Sequence, residues 1–489
     1  MKRWSVAAAA MAAAVMGAAS AQAQMGAQTG AQTGAQTGAK PLRPDQAEFR
    51  ALYKALVETD TTLSAGSCTE AAAKAGAHLK AAGFPDADLH YFADPAHPKE
   101  GGLVAVLPGR DPKARPILLM AHLDVVEARR EDWERDPFTL VEEDGFFYAR
   151  GVADDKADVA IYTDSLARLK RGGAKLKRTV KLALTCGEES VKAFNGMQWL
   201  VENRPDLIAA EFAVNEGGGG TISPDGKRLA IEVQVGEKAT QNFRLETRNP
   251  GGHSSRPTPD NAIYQLSEAL LKVRAHRFPI GFNAVSRPNF AALAAAPTTD
   301  PQIARALSRL LADPNDAEAD RIASADPDIN RLLRTTCIAT LLEAGHASNA
   351  LPQRAAGNIN CRILPGETLE GTQAALVQAI GDPGVSVTLE PPVRPLAKIA
   401  PLDPRVLGTA QRLVDKHFGR GLTLQPVMQA GYTDALWLGQ ANVPVYGLSG
   451  IFFDTDGNGA HGLNERLRVS SLYEGRDFQH ELIQALANL

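Results

Sequence analysis

The order of hydrophobic patterns along this chain predicts an α/β protein: a mostly parallel sheet covered by helices and interrupted by a smaller β-α-β-β-α-β domain. Three observations carry that expectation. Short, nearly continuous apolar runs at 103–107 (LVAVL) and 116–121 (PILLMA) suit strands buried on both faces. Such runs alternate with stretches of helical spacing at 158–169 and 195–202, as in a sheet built from strand–helix–strand units. After Gly236 the pattern changes to strict alternation, and the α/β pattern returns only near residue 395.

The elements follow in chain order. Lys2 and Arg3 precede an apolar run over 6–19, and Ala21-Gln22-Ala23 supplies small residues at a cleavage site. That run is shorter than the ~20 residues a membrane span needs, so residues 1–23 read as a signal peptide of bacterial style, implying a secreted, periplasmic or extracellular protein. Residues 24–40 repeat Gly-Ala-Gln-Thr and cannot bury enough surface to fold, so they read as a disordered tether. Helices are expected over 45–57 and 69–82, the second closed by Gly83 and Pro85. Strands at 103–107, 116–121, 180–185 and 212–214, with helices at 158–169 and 195–202, complete the first part of the sheet. The inserted domain is expected over 237–393. Its strands lie at 240–247, 336–342, 357–364 and 385–389, and its helices at 261–273 and up to about residue 380, the ferredoxin-like order. A helical insertion over 278–334, rich in scattered Pro and Asp, interrupts it. A helix at 404–416, a strand at 443–446 and a closing helix at 470–486 return to the first domain, which thus comprises 41–236 and 394–489.

Composition narrows the function. The formal net charge of −4, without any long basic run, argues against a nucleic-acid or acidic-membrane partner. The cysteines are Cys68, Cys186, Cys337 and Cys361; no C-x-x-C pair occurs, which excludes the common thiolate zinc sites. Cys337 and Cys361 are equidistant from residue 349. If their strands pair as antiparallel neighbours they face each other, either bridged or as two half-buried thiols.

Five clusters carry the chemistry. His122-Leu123-Asp124 ends an apolar strand, where ligands of open α/β sheets bind. Asp154 stands in Gly151-Val152-Ala153-Asp154-Asp155-Lys156, between a strand and a helix. Glu188-Glu189 follows the strand 180–185, and Glu216 follows 212–214. His461 lies far along the chain in Gly459-Ala460-His461-Gly462-Leu463-Asn464-Glu465. Taken singly, these fit a surface His–Asp pair, a helix cap, an acidic turn and a lone loop histidine equally well. Together they place two His, one Asp and two Glu at loop ends of one sheet, a donor set for a pair of Zn²⁺ or similar ions, with Glu188 left as a free base. Gly217 to Gly220 lacks the Gly-Lys-Ser/Thr of a nucleotide loop, and Gly447-Leu448-Ser449-Gly450 lacks the Gly-x-Ser-x-Gly of a serine hydrolase.

In order and content these motifs resemble the co-catalytic zinc peptidase family of glutamate carboxypeptidase, aminoacylase, carnosinase and succinyl-diaminopimelate desuccinylase. Trp133-Glu134-Arg135-Asp136-Pro137-Phe138 resembles the carboxypeptidase S and N-acyl-amino-acid hydrolase branch. The resemblance implies a zinc exopeptidase domain with a lid and dimerisation domain. It implies one Zn²⁺ on His122 and Glu216, a second on Glu189 and His461, Asp154 bridging, Glu188 as general base and Asp124 orienting His122; Co²⁺ or Mn²⁺ are alternative metals. It further implies a cis peptide at Asp154–Asp155. His253, in Gly252-His253-Ser254-Ser255, would polarise the scissile carbonyl of a partner subunit's substrate. Asn349, in Ser348-Asn349-Ala350-Leu351-Pro352, and Arg362 would hold the substrate's carboxylate; by residue pattern alone His253 fits a turn and Arg362 a surface strand. Gly431-Tyr432-Thr433-Asp434 also matches. Two departures stand out: Cys186-Gly187 precedes Glu188 where relatives commonly carry Gly-Asp, and Ala157 replaces a common Gly. The implied activity is hydrolysis of an amide or peptide bond next to a free carboxylate, by a carboxypeptidase or dipeptidase. An N-acyl-amino-acid amidohydrolase and an inactive zinc-binding homologue are the alternatives. The implied partners are a small peptide or N-acyl amino acid and a second copy of the chain.

Overall fold

The computed structural model describes residues 42–190 and 194–489; the expected signal peptide and tether lie outside the described residues. The apolar runs become the strands of a large mixed sheet. Its order is Leu89–Phe92, Gly102–Leu107, Val180–Thr185, Ile117–His122, Phe212–Asn215, Val445–Gly447, Arg228–Glu237, Gly219–Ile222 and Phe452–Asp454, with Leu424–Gln429 paired beside Arg228–Glu237. The three central strands that carry candidate site residues are parallel: Ile117–His122 pairs with Val180–Thr185 on one side and Phe212–Asn215 on the other.

Side-chain alternation explains why strand Ile117–His122 is apolar up to its last residue. Ile117, Leu119 and Ala121 join the core formed with helices Pro44–Val57, Cys68–Ala81, Lys156–Arg171, Pro404–Phe418 and Val469–Leu486. Leu118 and Met120 face a second core shared with helices Gly196–Asn203 and Ala435–Gln440. Both faces are covered, so no position along the strand is polar until His122 at its end.

The inserted region forms a separate antiparallel sheet in the order Thr336–Ala344, Arg354–Ile363, Ala239–Arg248, Val385–Glu390. Helices Ala262–Ala275 and Leu369–Ile380 share its core. The chain order is thus β-α-β-β-α-β, as expected. The expected insertion is four helices, Ser286–Ala295, Pro301–Ala312, Ala317–Ala323 and Pro327–Leu333, with their own apolar core. Its scattered Asp and Pro are helix starts: Asp300, Asp316 and Asp326 cap with their side chains, and Pro301 and Pro327 follow two of them. Strand Thr336–Ala344 lies at the sheet's edge and exposes Ile338, Leu341 and Leu342 to more than 60% each.

Cys337 and Cys361 sit directly opposite in the ladder and are bridged. A second disulfide, Cys68–Cys186, had no sequence signal, since its partners are 118 residues apart in unrelated elements. The Asp154–Asp155 peptide is cis. The expected strand at 443–446 begins later, at Val445. No helix among the described residues is long and apolar enough to cross a membrane.

Candidate active site

Three parallel neighbours end at the same edge of the sheet, which brings His122, the 186–189 segment and Glu216 together. Asp154 arrives from the turn that opens helix Lys156–Arg171, and His461 from the loop between Phe452–Asp454 and Arg466–Arg468. His122 Nε2 lies 3.2 Å from Asp154 Oδ1 and 3.7 Å from Glu216 Oε1. His461 Nε2 lies 3.1 Å from Asp154 Oδ2 and 2.9 Å from Glu189 Oε1. His122, Asp154 and Glu216 form one triad able to hold a cation, and Asp154, Glu189 and His461 form another; within each, the donor atoms lie within 4.8 Å of one another. Asp154 therefore belongs to both triads and turns a different oxygen to each. The grouping of Cys68, Asp124 and Cys186 is no such site, because its two sulfurs are bonded to each other.

The electrostatics fit cations at these two places. Burial, then the neighbouring Glu216 carboxylate, pushes Glu188 well above the usual carboxylate range. Burial does the same to Glu216, with His122 opposing and Asp154 and Glu189 adding to it. Asp154 and Glu189 hold His461 protonated up to about 10. More buried carboxylates meet here than two imidazoles can neutralise, and the donors are imidazole nitrogens and carboxylate oxygens, which suit Zn²⁺ and related ions.

The surrounding residues fasten this cluster. His122 Nδ1 bonds the backbone carbonyl of Asp124 at 3.0 Å, while the Asp124 carboxylate lies 3.7 Å away. That carboxylate instead accepts the backbone N–H groups of Glu188 and Glu189, at 3.4 and 3.0 Å. Asp124 thus holds His122 through its backbone carbonyl and the Glu188–Glu189 backbone through its side chain. The Tyr432 hydroxyl donates to the Glu188 carbonyl at 3.0 Å. Asp434 accepts from Thr185 Oγ1 at 2.8 Å and from Asn195 Nδ2 at 2.7 Å.

Glu465 has a role the sequence did not disclose. It is fully buried and accepts from Arg150 Nη1 (2.8 Å) and from the backbone N–H groups of Gly151 (3.0 Å), Ala153 (2.9 Å) and Asp154 (3.1 Å). Arg150 also donates to the Gly462 carbonyl at 2.8 Å and stacks over Trp133, 5.0 Å from the ring centre. The Asp154 turn and the His461 loop are thereby one unit.

The remaining candidates are placed differently. Arg362 is half-buried, within electrostatic reach of Tyr432 and Arg394. Arg394, another residue without a sequence signal, stacks 4.1 Å from the Tyr432 ring centre and donates to the Ser190 carbonyl at 3.4 Å; its Nη1 is buried without a hydrogen-bond partner. The structure therefore brings two guanidinium groups close to the Glu188 segment. His253 and Asn349 are not brought to the cluster. His253 is exposed on the two-residue strand Gly252–His253, and its Nδ1 accepts from Ser255. The Asn349 carbonyl accepts the N–H of Ser254 in the facing turn.

The chain is similar to known proteins over most of its length. The human N-fatty-acyl-amino acid synthase/hydrolase PM20D1 is 28% identical over 436 residues, covering 88% of this chain and 85% of the relative. Rat aminoacylase-1A is 26% identical over 401 residues, covering 80% and 85%. Among solved structures, the M20 family metallo-carboxypeptidase Sso-CP2 of Sulfolobus solfataricus superposes with a TM-score of 0.66 at 18% identity, covering 90% of this chain and 99% of that one. Human carnosine dipeptidase 1 gives 0.61 at 16% identity, covering 92% and 100%. These two structures speak for the fold. The model of peptidase family M20/M25/M40 matches residues 118–485, from the His122 strand into the closing helix, and the chain belongs to that family of hydrolytic enzymes.

Proposed function

We propose that the protein hydrolyses an amide bond in a small peptide or N-acyl amino acid, releasing an amino acid with a free carboxylate. The observation that carries this reading is the carboxylate of Asp154, shared between two triads, with the buried Glu188 beside them. His122, Asp154 and Glu216 would hold one Zn²⁺, and Asp154, Glu189 and His461 the other. When bound, such a pair supplies the Lewis acidity that acidifies water and polarises a carbonyl.

The chain's own residues divide the remaining work. Glu188, whose raised affinity for protons suits a base, takes a proton from the attacking water and passes it to the leaving amine. Asp124 and Tyr432 fix the backbone on either side of that carboxylate. Arg362, with Arg394 beside it, holds the substrate's carboxylate, since a planar guanidinium pairs with it bidentately. Asn349 and His253 complete the site from a second subunit. Support for a homodimer comes from the exposure of His253 and from the apolar edge strand with Ile338, Leu341 and Leu342; Tyr264 and Leu271 on the adjoining helix are exposed as well. Two disulfides support export to an oxidising compartment.

The test separates metal from base. Glu188→Gln keeps the metal content of the wild type and loses about 10²–10⁴-fold in kcat. Full turnover in a metal-loaded Glu188→Gln variant, or undiminished turnover after exhaustive chelation, would refute the reading.

A further inference from the structure

Strand Phe212–Asn215 runs directly into Glu216, and polar contacts rather than packing hold that end. Glu216 meets His122 Nε2 at 3.7 Å, beyond hydrogen-bond reach, so its carboxylate takes its place from its backbone. Behind it lies a cavity of about 170 Å³ lined by Asn215, Glu216, Gln234 and Glu237 among others, which leaves the strand end room to shift. The Asn215 side chain, 2% exposed, donates from Nδ2 to Thr433 Oγ1 at 3.0 Å. Thr433 Oγ1 also accepts the Ala435 N–H at 3.1 Å. Both acceptor positions of that hydroxyl are thereby taken, and its one proton goes to Glu237 Oε2, 3.0 Å away. Gln234 Nε2 donates to the same oxygen at 3.0 Å. The other oxygen, Oε1, is buried without a hydrogen-bond partner. A buried carboxyl with an unpartnered oxygen costs stability, so what Glu237 supplies is the line of bonds to Asn215 rather than a better core.

Glu237 also stands where the chain crosses between the two domains. It is the last residue of Arg228–Glu237, and Ala239 begins the first strand of the inserted sheet. Lys238, between them, is fully buried. Its N–H donates to the Gln429 carbonyl at 3.1 Å, and its Nζ to the Arg331 carbonyl at 2.7 Å. The crossing is thus fastened on both sides: Glu237 reaches toward the site, and Lys238 toward the helical insertion.

We infer that Glu237 is a positioning residue: through Thr433 and Asn215 it sets Glu216, and so ties one metal triad to the point where the chain enters the inserted domain. The inference rests on the two zinc sites proposed above. The experiment measures zinc affinities of the full chain by competition with a chromophoric chelator. The variants are Glu237→Ala, Glu237→Gln, Glu216→Ala, and Glu216→Ala combined with Glu237→Ala. Glu216 belongs to one triad alone, so Glu237→Ala weakens one zinc ion about 10–100-fold and leaves the other at wild-type affinity. Glu237→Gln, which keeps an oxygen for Thr433, restores both. On the Glu216→Ala background Glu237→Ala brings no further loss, because the residue it acts through is gone. Thr433→Val removes the hydroxyl and repeats the Glu237→Ala pattern; it takes that variant's place if Glu237→Ala does not fold. Wild-type affinity for both ions in Glu237→Ala, equal weakening of both, a Glu237→Gln no better than Glu237→Ala, or a further loss on the Glu216→Ala background overturns the role of Glu237. Each of these leaves the two-zinc reading standing. A wild-type chain that binds fewer than two zinc ions overturns both.

Discussion

Replacing Glu465 tests whether the two halves of the site depend on one buried carboxylate. Glu465 has no exposure and accepts four hydrogen bonds: one from Arg150 and three from the backbone of the turn that carries Asp154. Removing one partner of a buried ion pair costs about 3–5 kcal/mol, because the other charge is left uncompensated. Each unsatisfied backbone N–H adds about 1–3 kcal/mol. Glu465→Ala therefore threatens a sum comparable to the 5–15 kcal/mol stability of a typical domain. Glu465→Gln is the usable probe. It keeps the shape and one acceptor oxygen, but offers N–H where Arg150 or a backbone N–H already points. A loss of about 2–4 kcal/mol is expected from its urea unfolding curve. Because the Asp154 turn and the His461 loop lose their common anchor, zinc affinity should fall about 10–100-fold, as for partners that orient metal ligands. Competition with a chromophoric chelator measures it. A Glu465→Gln variant with the wild-type unfolding midpoint and zinc affinity would refute the idea that Glu465 sets the geometry of both triads.

Arg362→Ala and Arg394→Ala should raise KM for substrates with a free carboxylate far more than for their amides; equal losses on both would remove the guanidinium pair from recognition. His480 gives a pH effect away from the site. Burial, then Arg168 and Arg476, pushes its pKa down from 6.5 to about 4, so the folded protein holds it neutral. Its folded pKa lies below its unfolded one, so its contribution is complete above pH 6.5 and is lost as pH falls toward 4. Between pH 7 and 5 the loss approaches about 2 kcal/mol; a His480→Asn variant with the same loss would refute this. Mixing inactive His253→Ala and Glu188→Ala subunits, dissociated and reassociated, should restore activity, because each heterodimer holds one intact pair; proven heterodimers that stay inactive would place His253 outside the partner's site.

What the sequence showed and what it hid have different physical origins. Strand 117–122 was legible because both faces are buried, which leaves no polar residue until His122, and 180–185 is broken only by Lys181, whose ammonium donates to the Asp206 and Ala209 carbonyls. The candidate ligands were legible because they stand where such runs stop. Arg228–Glu237 and Leu424–Gln429 carry polar residues among their apolar ones, so no continuous run announced them. Glu465 stood in the His461 motif but its role gave no signal, and Arg394 had none at all, because their roles consist of contacts between distant residues, such as the 315-residue separation of Arg150 and Glu465. The facing positions of Cys337 and Cys361 followed from strand register. Cys68 and Cys186 share no element and no ladder, and only the tertiary fold joins them.

The segment 185–189 shows why so many unrelated contacts converge on one turn. It carries Glu188 and Glu189 side by side, Glu188 within electrostatic reach of Glu216 and Glu189 within that of Asp154, so in the absence of cations mutual repulsion favours any movement that separates them. The fold restrains it from several directions. The Asp124 carboxylate holds the two backbone N–H groups, Tyr432 holds the Glu188 carbonyl, and Asp434 holds Thr185. Asn195 links Asp434 to the Gly187 carbonyl, with bonds of 2.7 and 3.2 Å. The Cys68–Cys186 bridge ties the turn to helix Cys68–Ala81. Gly187 itself adopts φ +91°, and a Cβ there would lie 1.7 Å from the Phe194 carbonyl oxygen, so no side chain is compatible with this path. The departure from the family's more common Gly-Asp thus has a structural meaning: the chain turns too close to Phe194 to carry an aspartate at 187, and the residue before it is covalently anchored instead. Glu188, proposed above as the base, has carboxylate neighbours that repel it, and these contacts give its backbone nowhere to retreat.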